Sequence, residues 1–329
     1  NDAQYGNSIA NRFHEDEFDM SGSIFDVYNC GGGEGNEVSV VWVDVEEEAS
    51  VDYSASEGNA CAFTAPDVYV DSNIDEECLD EGCGFQNNPF KTITRALEII
   101  LPSESNPITI HLAEGTYSIE TGEVFPINLI DNVIIEGEDL TGGNQELPKI
   151  DASQTNRVMV IKYYNGSISN VIIENGYLGE ENCGYIEELG VVDNVEDCTG
   201  GGMYVYNSTL SLDNVHFINN YAFIYGGGLY IENSISDLSN IEFYGNYAHE
   251  GGGLYIREGD SKMNTMEFTN NQGYSAAIEI VFSSPELNDV IVDSNTGLYD
   301  EDGNGPFGYA IRVLSYNSAP ILRNFVIAN

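Results

Sequence analysis

Basic residues are scarce. Ten Lys and Arg stand against 55 Asp and Glu, a formal charge of −45 over 329 residues. Such a chain repels nucleic acid and anionic membrane surfaces, which excludes nucleic-acid partners. Two uses of the charge stay open: solubility in salty water, where screening shortens the repulsion, and collection of divalent cations. No run of about 18 apolar residues occurs, so no membrane span is expected. There are four His and no CxxC pair, so the cysteines match no zinc pattern. The chain opens on Asn1 with neither Met nor a leader-like segment, and this reads as a mature or excised piece.

The composition is that of an ordered, β-rich protein: 42% apolar, with 21 Tyr and 35 Gly. The six cysteines, Cys30, Cys61, Cys78, Cys83, Cys183 and Cys198, are even in number and all precede the regular repeats. They read as disulfides formed in an oxidising, extracellular or cell-surface compartment. Pairing of neighbours (Cys30–Cys61, Cys78–Cys83, Cys183–Cys198) is the expectation, among other connectivities that the count allows.

Internal repeats carry most of the information. NVHFINNYAFIYGGGLYIEN starts at Asn214, NIEFYGNYAHEGGGLYIREG at Asn240 and TMEFTNNQGYSAAIEIVFSS at Thr265; a further copy, from Asp289 to Ser315, is lengthened by an insertion. Earlier, less regular half-units are NVIIEG at Asn132, NVIIENG at Asn170 and GGGMYVYNS at Gly200. Val215, Ile241, Met266 and Val290 are spaced 26, 25 and 24 residues apart. Met203, Leu229, Leu254 and Ile278 show the same three spacings. Two registers that shift together mean one coil per repeat. Alternation points Met203/Val205, Leu229/Ile231, Leu254/Ile256, Ile278/Ile280 and Ile311/Val313 inward, and Tyr204, Tyr230, Tyr255, Glu279 and Arg312 outward.

The fold class predicted is therefore all-β: a right-handed parallel β-helix over residues 67–329, with regular coils from residue 200 and strands stacked about 4.8 Å apart. The Gly triplets at 200–202, 226–228 and 251–253 suit sharp turns. Asn220, Asn246, Asn271 and Asn295, one per coil, suit a hydrogen-bonded ladder. Residues 88–100 read as a capping helix over the first coil, with Asn88 as its cap, Pro89 at its first position and Phe90, Ile93, Ala96, Leu97 and Ile100 on one face. Residues 1–66 read as a small β-rich segment or extended cap.

These residues carry a resemblance. FINNYAFIYGGGLYIEN and FYGNYAHEGGGLYIREG resemble the repeats of polymorphic outer membrane proteins. Tyr69–Ser118, with NNPFKTITRALEII followed by a strand and AEGTYS, resembles the opening of the pectin-lyase-like β-helix superfamily. The resemblance implies a secreted or cell-surface β-helix, often adhesive and sometimes a polysaccharide-degrading enzyme; fold alone does not choose between these.

On function the leading reading is a binding, adhesive or structural role at the cell surface, with a glycan or surface protein as partner. Tyr204, Tyr206, Tyr230 and Tyr255 would form a ligand-holding stripe, or simply brace the sheet. The alternative is a polysaccharide lyase or glycoside hydrolase. A lyase needs a base, and Lys149, Arg157, Lys162, Arg257, Lys262, Arg312 and Arg323 are few and scattered. A hydrolase needs two placed carboxylates, and acids are too abundant here to single out a pair. His216 beside Glu242 and Glu267 reads as a solvated face, and His249 as a turn residue.

Asp300-Glu301-Asp302-Gly303-Asn304-Gly305 places oxygen ligands as a calcium loop does, but Ile311 stands where the bidentate Glu belongs, which excludes a complete EF-hand. A looser Ca2+ site from Asp300, Asp302, Asn304 and Asp293 is one reading, an acidic turn the other. Asp75, Glu76, Glu77, Asp80 and Glu81 form a second acidic loop. Finally, Ile321–Asn329 reads as a fresh strand with no cap after it, which predicts a longer chain or self-association into fibres through that coil.

Overall fold

The computed structural model describes residues 65–78, 83–138, 146–184, 195–298, 308–314 and 319–328, together with the parallel strand pair Arg12–Phe13 and Asp44–Val45. The expected Cys30–Cys61 bridge and most of the proposed N-terminal segment lie outside these residues.

The chain winds into a right-handed parallel β-helix. One sheet contains Asp67–Val70, Ile108–Leu112, Val133–Gly137, Asn165–Glu174, Thr209–Ile218, Ile235–Tyr244, Lys262–Thr269, Glu286–Asp293 and Ile321–Ala328 in spatial order, with Thr116–Ser118 and Lys149–Asp151 joined at its side. A second sheet stacks Ile127–Leu129, Met159–Lys162, Met203–Tyr206, Leu229–Glu232, Leu254–Arg257, Ser275–Val281 and Tyr309–Leu314. Every pairing in both sheets is parallel and links one coil to the next. The inward residues expected from alternation, from Met203/Val205 to Ile278/Ile280, are all fully buried, whereas of the last expected pair Ile311 is half-buried and Val313 exposed.

One leg of the coil is absent from the sequence reading. The first-sheet strands Thr209–Ile218 and Ile235–Tyr244 begin six residues before Val215 and Ile241, and the added leg brings Leu210, Leu212, Leu238, Met263 and Leu287 into the core. Between the two parts of each strand sits a residue with positive φ: Asn170, Asn214, Asn240, Thr265, Asp289 and Asn324, at 53–57°. This bend places Leu212 and Val215 both inward though three residues apart, which breaks the two-residue period and hides the continuity of the strand.

The Asn ladder forms. Asn246 Nδ2 donates to Asn271 Oδ1 (3.0 Å) and to the Phe217 carbonyl (2.8 Å). Asn246 Oδ1 accepts from the Asn220 backbone N–H (3.0 Å) and Asn220 Nδ2 (3.1 Å). Asn271 and Asn295 repeat the pattern, at sequence separations of 26, 25 and then 24. Beside it Phe217, Phe243 and Phe268 stack at 5.0 and 4.7 Å inside the helix.

The capping helix is shorter than expected. It spans Ile93–Ile99, and its cap is Thr92, whose Oγ1 accepts from the Arg95 N–H at 3.1 Å. Asn88 instead bridges to Phe85 in a tight turn. Two distant carboxylates serve the helix start. Glu77 Oε1 accepts from Lys91 N–H (2.9 Å), and buried Glu123 accepts from the N–H groups of Ile93 and Thr94. Such acceptors are favoured where N–H groups lack helical partners. The apolar face is as expected: Phe90, Ile93, Ala96, Leu97 and Ile100 are buried in one cluster with Val68, Val70, Ile108 and Ile110.

Candidate functional site on the outer face of the second sheet

Register places two columns of side chains on the outer face of the second sheet. One runs Val160, Tyr204, Tyr230, Tyr255, Glu279, Arg312; the other runs Lys162, Tyr206, Glu232, Arg257, Val281, Leu314. Tyr204, Tyr230 and Tyr255 do stack, at 5.4 and 5.3 Å with rings within 14° of parallel. The stripe expected to receive a ligand needs correcting in one respect: these three are 4%, 3% and 6% exposed. Each ring covers the face of the next. Tyr225 tilts over Tyr255 at 4.6 Å, and the Arg157 guanidinium lies 5.1 Å from the Tyr204 centroid. A sugar stacks on a ring face, and these faces are taken. Burial, the largest influence, raises the phenol pKa of all three. Tyr206, in the second column, remains half-exposed.

The basic residues considered for lyase chemistry are largely engaged. Buried Arg157 donates through Nε to the carbonyls of Thr199 and Gly200 (both 3.1 Å) and through Nη2 to that of Thr199 (2.7 Å). It clamps the turn beside the Cys183–Cys198 disulfide, and burial lowers its pKa to about 10. Lys162 pairs with Glu196 (2.5 Å), Lys149 with Glu146 (2.8 Å) and Arg257 with Glu232 (3.5 Å). His216 Nδ1 lies 3.3 Å from Glu242 on the first sheet's outer face, as expected.

The Tyr column ends in an ionisable cluster. In register with Tyr255 stands Glu279, and next to it Arg312. Arg312 Nη2 contacts Glu279 Oε1 at 2.9 Å and Glu250 Oε1 at 3.2 Å, so one nitrogen holds two carboxylates. Ser275 Oγ donates to Glu279 Oε2. The Nη2–Oε1 contact is a charge contact without hydrogen-bond alignment, which leaves Glu279 Oε1 and Arg312 Nε without hydrogen-bond partners. Glu279 is 0% exposed, and desolvation, opposed by Ser275 and Arg312 and aided by Glu250, pushes its pKa up to about 7. Around it the surface is aromatic. Exposed Tyr274 meets exposed Tyr309 edge to face at 5.8 Å, stacks with His249 at 6.4 Å, and carries the Arg312 guanidinium 5.4 Å from its centroid.

Sequence reasoning placed Glu279 and Arg312 outward but did not join them. Their consecutive positions in a column otherwise filled by Tyr were the available signal. Glu250 and Tyr274 carried none, because they come from turns whose path the repeat pattern does not define. Of the expected metal ligands, Asp300, Asp302 and Asn304 lie outside the described residues; Asp293 ends a first-sheet strand, its Oδ1 accepting from Ser294 Oγ at 3.1 Å. Among the described residues no group of three or more His, Cys, Asp or Glu is arranged to hold a metal ion. The Cys78–Cys83 and Cys183–Cys198 bridges are those expected from neighbour pairing.

Among solved structures the chain is similar to pectin methylesterase PemA from Erwinia chrysanthemi (11% identity, 78% of this chain and 92% of that one, TM-score 0.36). It is also similar to the pectin methylesterase from Aspergillus niger (11%, 82% and 87%, TM-score 0.36) and to a rhamnogalacturonan lyase (10%, 70% and 69%, TM-score 0.28). Likenesses this distant do not bear on activity. No curated protein matches. A family described as "Protein of unknown function (DUF1565)" matches residues 78–329, which covers most of the chain, and the chain belongs to that family.

Proposed function

We propose that the chain is an extracellular β-helix that binds a glycan or a surface protein in an adhesive role, through the rim formed by His249, Tyr274, Tyr309 and Arg312. The observation that carries this reading is the rim itself. It offers exposed aromatic faces beside a guanidinium and the half-buried Glu250, where the Tyr204–Tyr230–Tyr255 column offers none. Flat aromatic area with adjacent charge suits sugar rings and protein side chains alike. The two disulfides support an oxidising, extracellular setting.

The polysaccharide lyase or glycosidase alternative is less well supported, because Glu279 and Glu123, the two carboxyls whose pKa is pushed up to about 7, are both buried, Glu279 behind Arg312 and Glu123 at the start of the capping helix. Screening the chain on an array of neutral and acidic glycans tests the binding reading. Tyr309→Ala is expected to weaken any hit about tenfold, about 1.4 kcal/mol. Release of unsaturated or reducing ends from a polysaccharide panel would instead establish the enzyme.

Two further parts of the proposal have their own tests. Ca2+ binding by Asp300, Asp302 and Asn304 with Asp293 predicts heat on titration that Asp302→Asn removes. End-to-end association is supported by Leu322, Val326 and Ile327, exposed on Ile321–Ala328, a strand that occupies one edge of its sheet. A monomer by light scattering, with and without Ca2+, counts against it.

A further inference from the structure

The corners after five consecutive second-sheet strands, from Met159–Lys162 to Ser275–Val281, each hold a residue with positive φ: Tyr163, Asn207, Asn233, Glu258 and Phe282, at 48–54°. Asn takes this conformation at little cost, whereas a bulky aromatic there is an outlier. Asn233 also gains a hydrogen bond, donating Nδ2 to Asn207 Oδ1. Tyr163 is instead 65% exposed, edge-on to Tyr206 at 5.9 Å and 88°. Phe282 shares this strain and is 57% exposed at the last of these corners; Tyr163 differs from it in the residues that follow.

Two residues further on lies Asn165-Gly166-Ser167, the Asn-x-Ser pattern of N-linked glycan acceptors. In the strand Asn165–Glu174, Asn165 and Ser167 share the outward face while Ile168 is buried, so the strand presents carboxamide and hydroxyl on the same side. Asn165 is exposed. Its backbone N–H donates to Asp131 Oδ1 at 2.8 Å, and its side chain takes no part in the Asn ladders. Across the sheet Asn165 faces Thr209, and Ser167 faces Ser211, both short residues that leave room above the strand. Gly at the middle position is dictated by packing, since a Cβ there would lie 2.4 Å from the Val133 carbonyl oxygen.

The neighbouring pattern, Asn207-Ser208-Thr209, is an internal control. Asn207 is half-buried with its carboxamide oxygen accepting from Asn233. The middle residue, Ser208, is buried and donates Oγ to the Tyr206 carbonyl (2.8 Å), while Thr209, which supplies the hydroxyl of this pattern, is exposed, so what sets Asn207 apart is its own partial burial and its bond to Asn233.

We propose that Asn165 is an N-glycosylation site and that the first sugar of its glycan lies on the exposed face of Tyr163. The covalent step joins Asn165 Nδ2 to the anomeric carbon of a lipid-linked glycosyl diphosphate. The bond from that carbon to the diphosphate oxygen breaks, the lipid diphosphate leaves, and one amide proton passes to a base of the transferase; no electron donor or acceptor is needed. Occurrence in the native source rests on the extracellular reading above.

The test separates the two by exporting the chain from an N-glycosylating cell behind a host secretion leader, so that it meets the transferase regardless of its native location. Peptide mapping after amidase release in heavy-oxygen water should mark Asn165 and leave Asn207 unmarked. Asn165→Gln and Ser167→Ala should each abolish the glycan mass, and Asn207→Gln should retain it. Tyr163→Ala should lower occupancy at least twofold and remove the difference in melting temperature between the glycosylated and the enzymatically trimmed chain. Unmodified Asn165 in exported, disulfide-bonded chain, with a co-expressed reporter glycoprotein modified, overturns the site. A glycan that persists in Asn165→Gln does the same, and an unchanged Tyr163→Ala glycoform overturns the role of the ring.

Discussion

Neighbouring coils repeat one residue type at one place, so that Asn stands on Asn from Asn220 to Asn295, Phe on Phe from Phe217 to Phe268 and Tyr on Tyr from Tyr204 to Tyr255. One coil further on the outer column turns from Tyr255 to Glu279 and then Arg312. The contrast separates two ways of satisfying a side chain. A repeated residue finds its partner in its own copy about 4.8 Å away, and its chemistry is consumed by the stack. A residue that interrupts a column must be satisfied from elsewhere. Glu279 draws on Ser275, Arg312 and, through that guanidinium, Glu250. Ionisable chemistry therefore collects where repetition stops, while conspicuous repeated residues are structural.

Breaking the repeated side of this contrast should have the largest effect. Phe243, fully buried between Phe217 and Phe268, is expected to lose about 3–5 kcal/mol on replacement by Ala. Urea unfolding followed by circular dichroism measures it; a loss below about 1 kcal/mol would mean that the stack is not continuous. Asn246→Ala should cost somewhat less, about 2–4 kcal/mol, because it strands the Asn220 donors and the Phe217 carbonyl in the interior. Tyr255→Phe, which keeps the ring and its stacking, should stay within about 1 kcal/mol of the parent in the same assay.

How much of this was legible in the sequence follows the same division. The spacings of Val215, Ile241 and Met266 gave the coil length, and Asn220, Asn246, Asn271 and Asn295 gave the ladder, because repetition is visible along the chain. The bend at Asn214 and Asn240 was not legible as part of one strand, since a positive-φ residue shifts the alternation by one. The helix cap was misplaced for a related reason. Asn88 and Pro89 have the right identities, but Glu77 and Glu123 reach the helix start from 14 to 30 residues away and fix it at Thr92. The Glu250–Arg312 contact spans 62 residues and joins a turn to a strand, a pairing that no local pattern announces. Tyr204, Tyr230 and Tyr255 looked like a binding stripe because alternation reports which way a side chain points and not what folds over it.

The subtlest effect sharpens the interrupted side. Glu279 titrates near pH 7 in the folded chain against about 4.3 for an unfolded glutamate. Between those values the folded state holds a proton that the unfolded state has released, so stability falls as pH rises through the window and levels off above it. Buried Glu123, also pushed up to about 7 by desolvation, contributes a slope of the same sign. Mutual repulsion among 55 acidic residues adds to both, and added salt should weaken that part. Glu279→Gln, neutral at every pH, removes one contribution and leaves the others. Its stability relative to the parent should therefore improve steadily from pH 4.5 to pH 7.5 in unfolding series at fixed ionic strength. Parallel curves across that range would show that Glu279 is ionised throughout and that Arg312 fully compensates its burial.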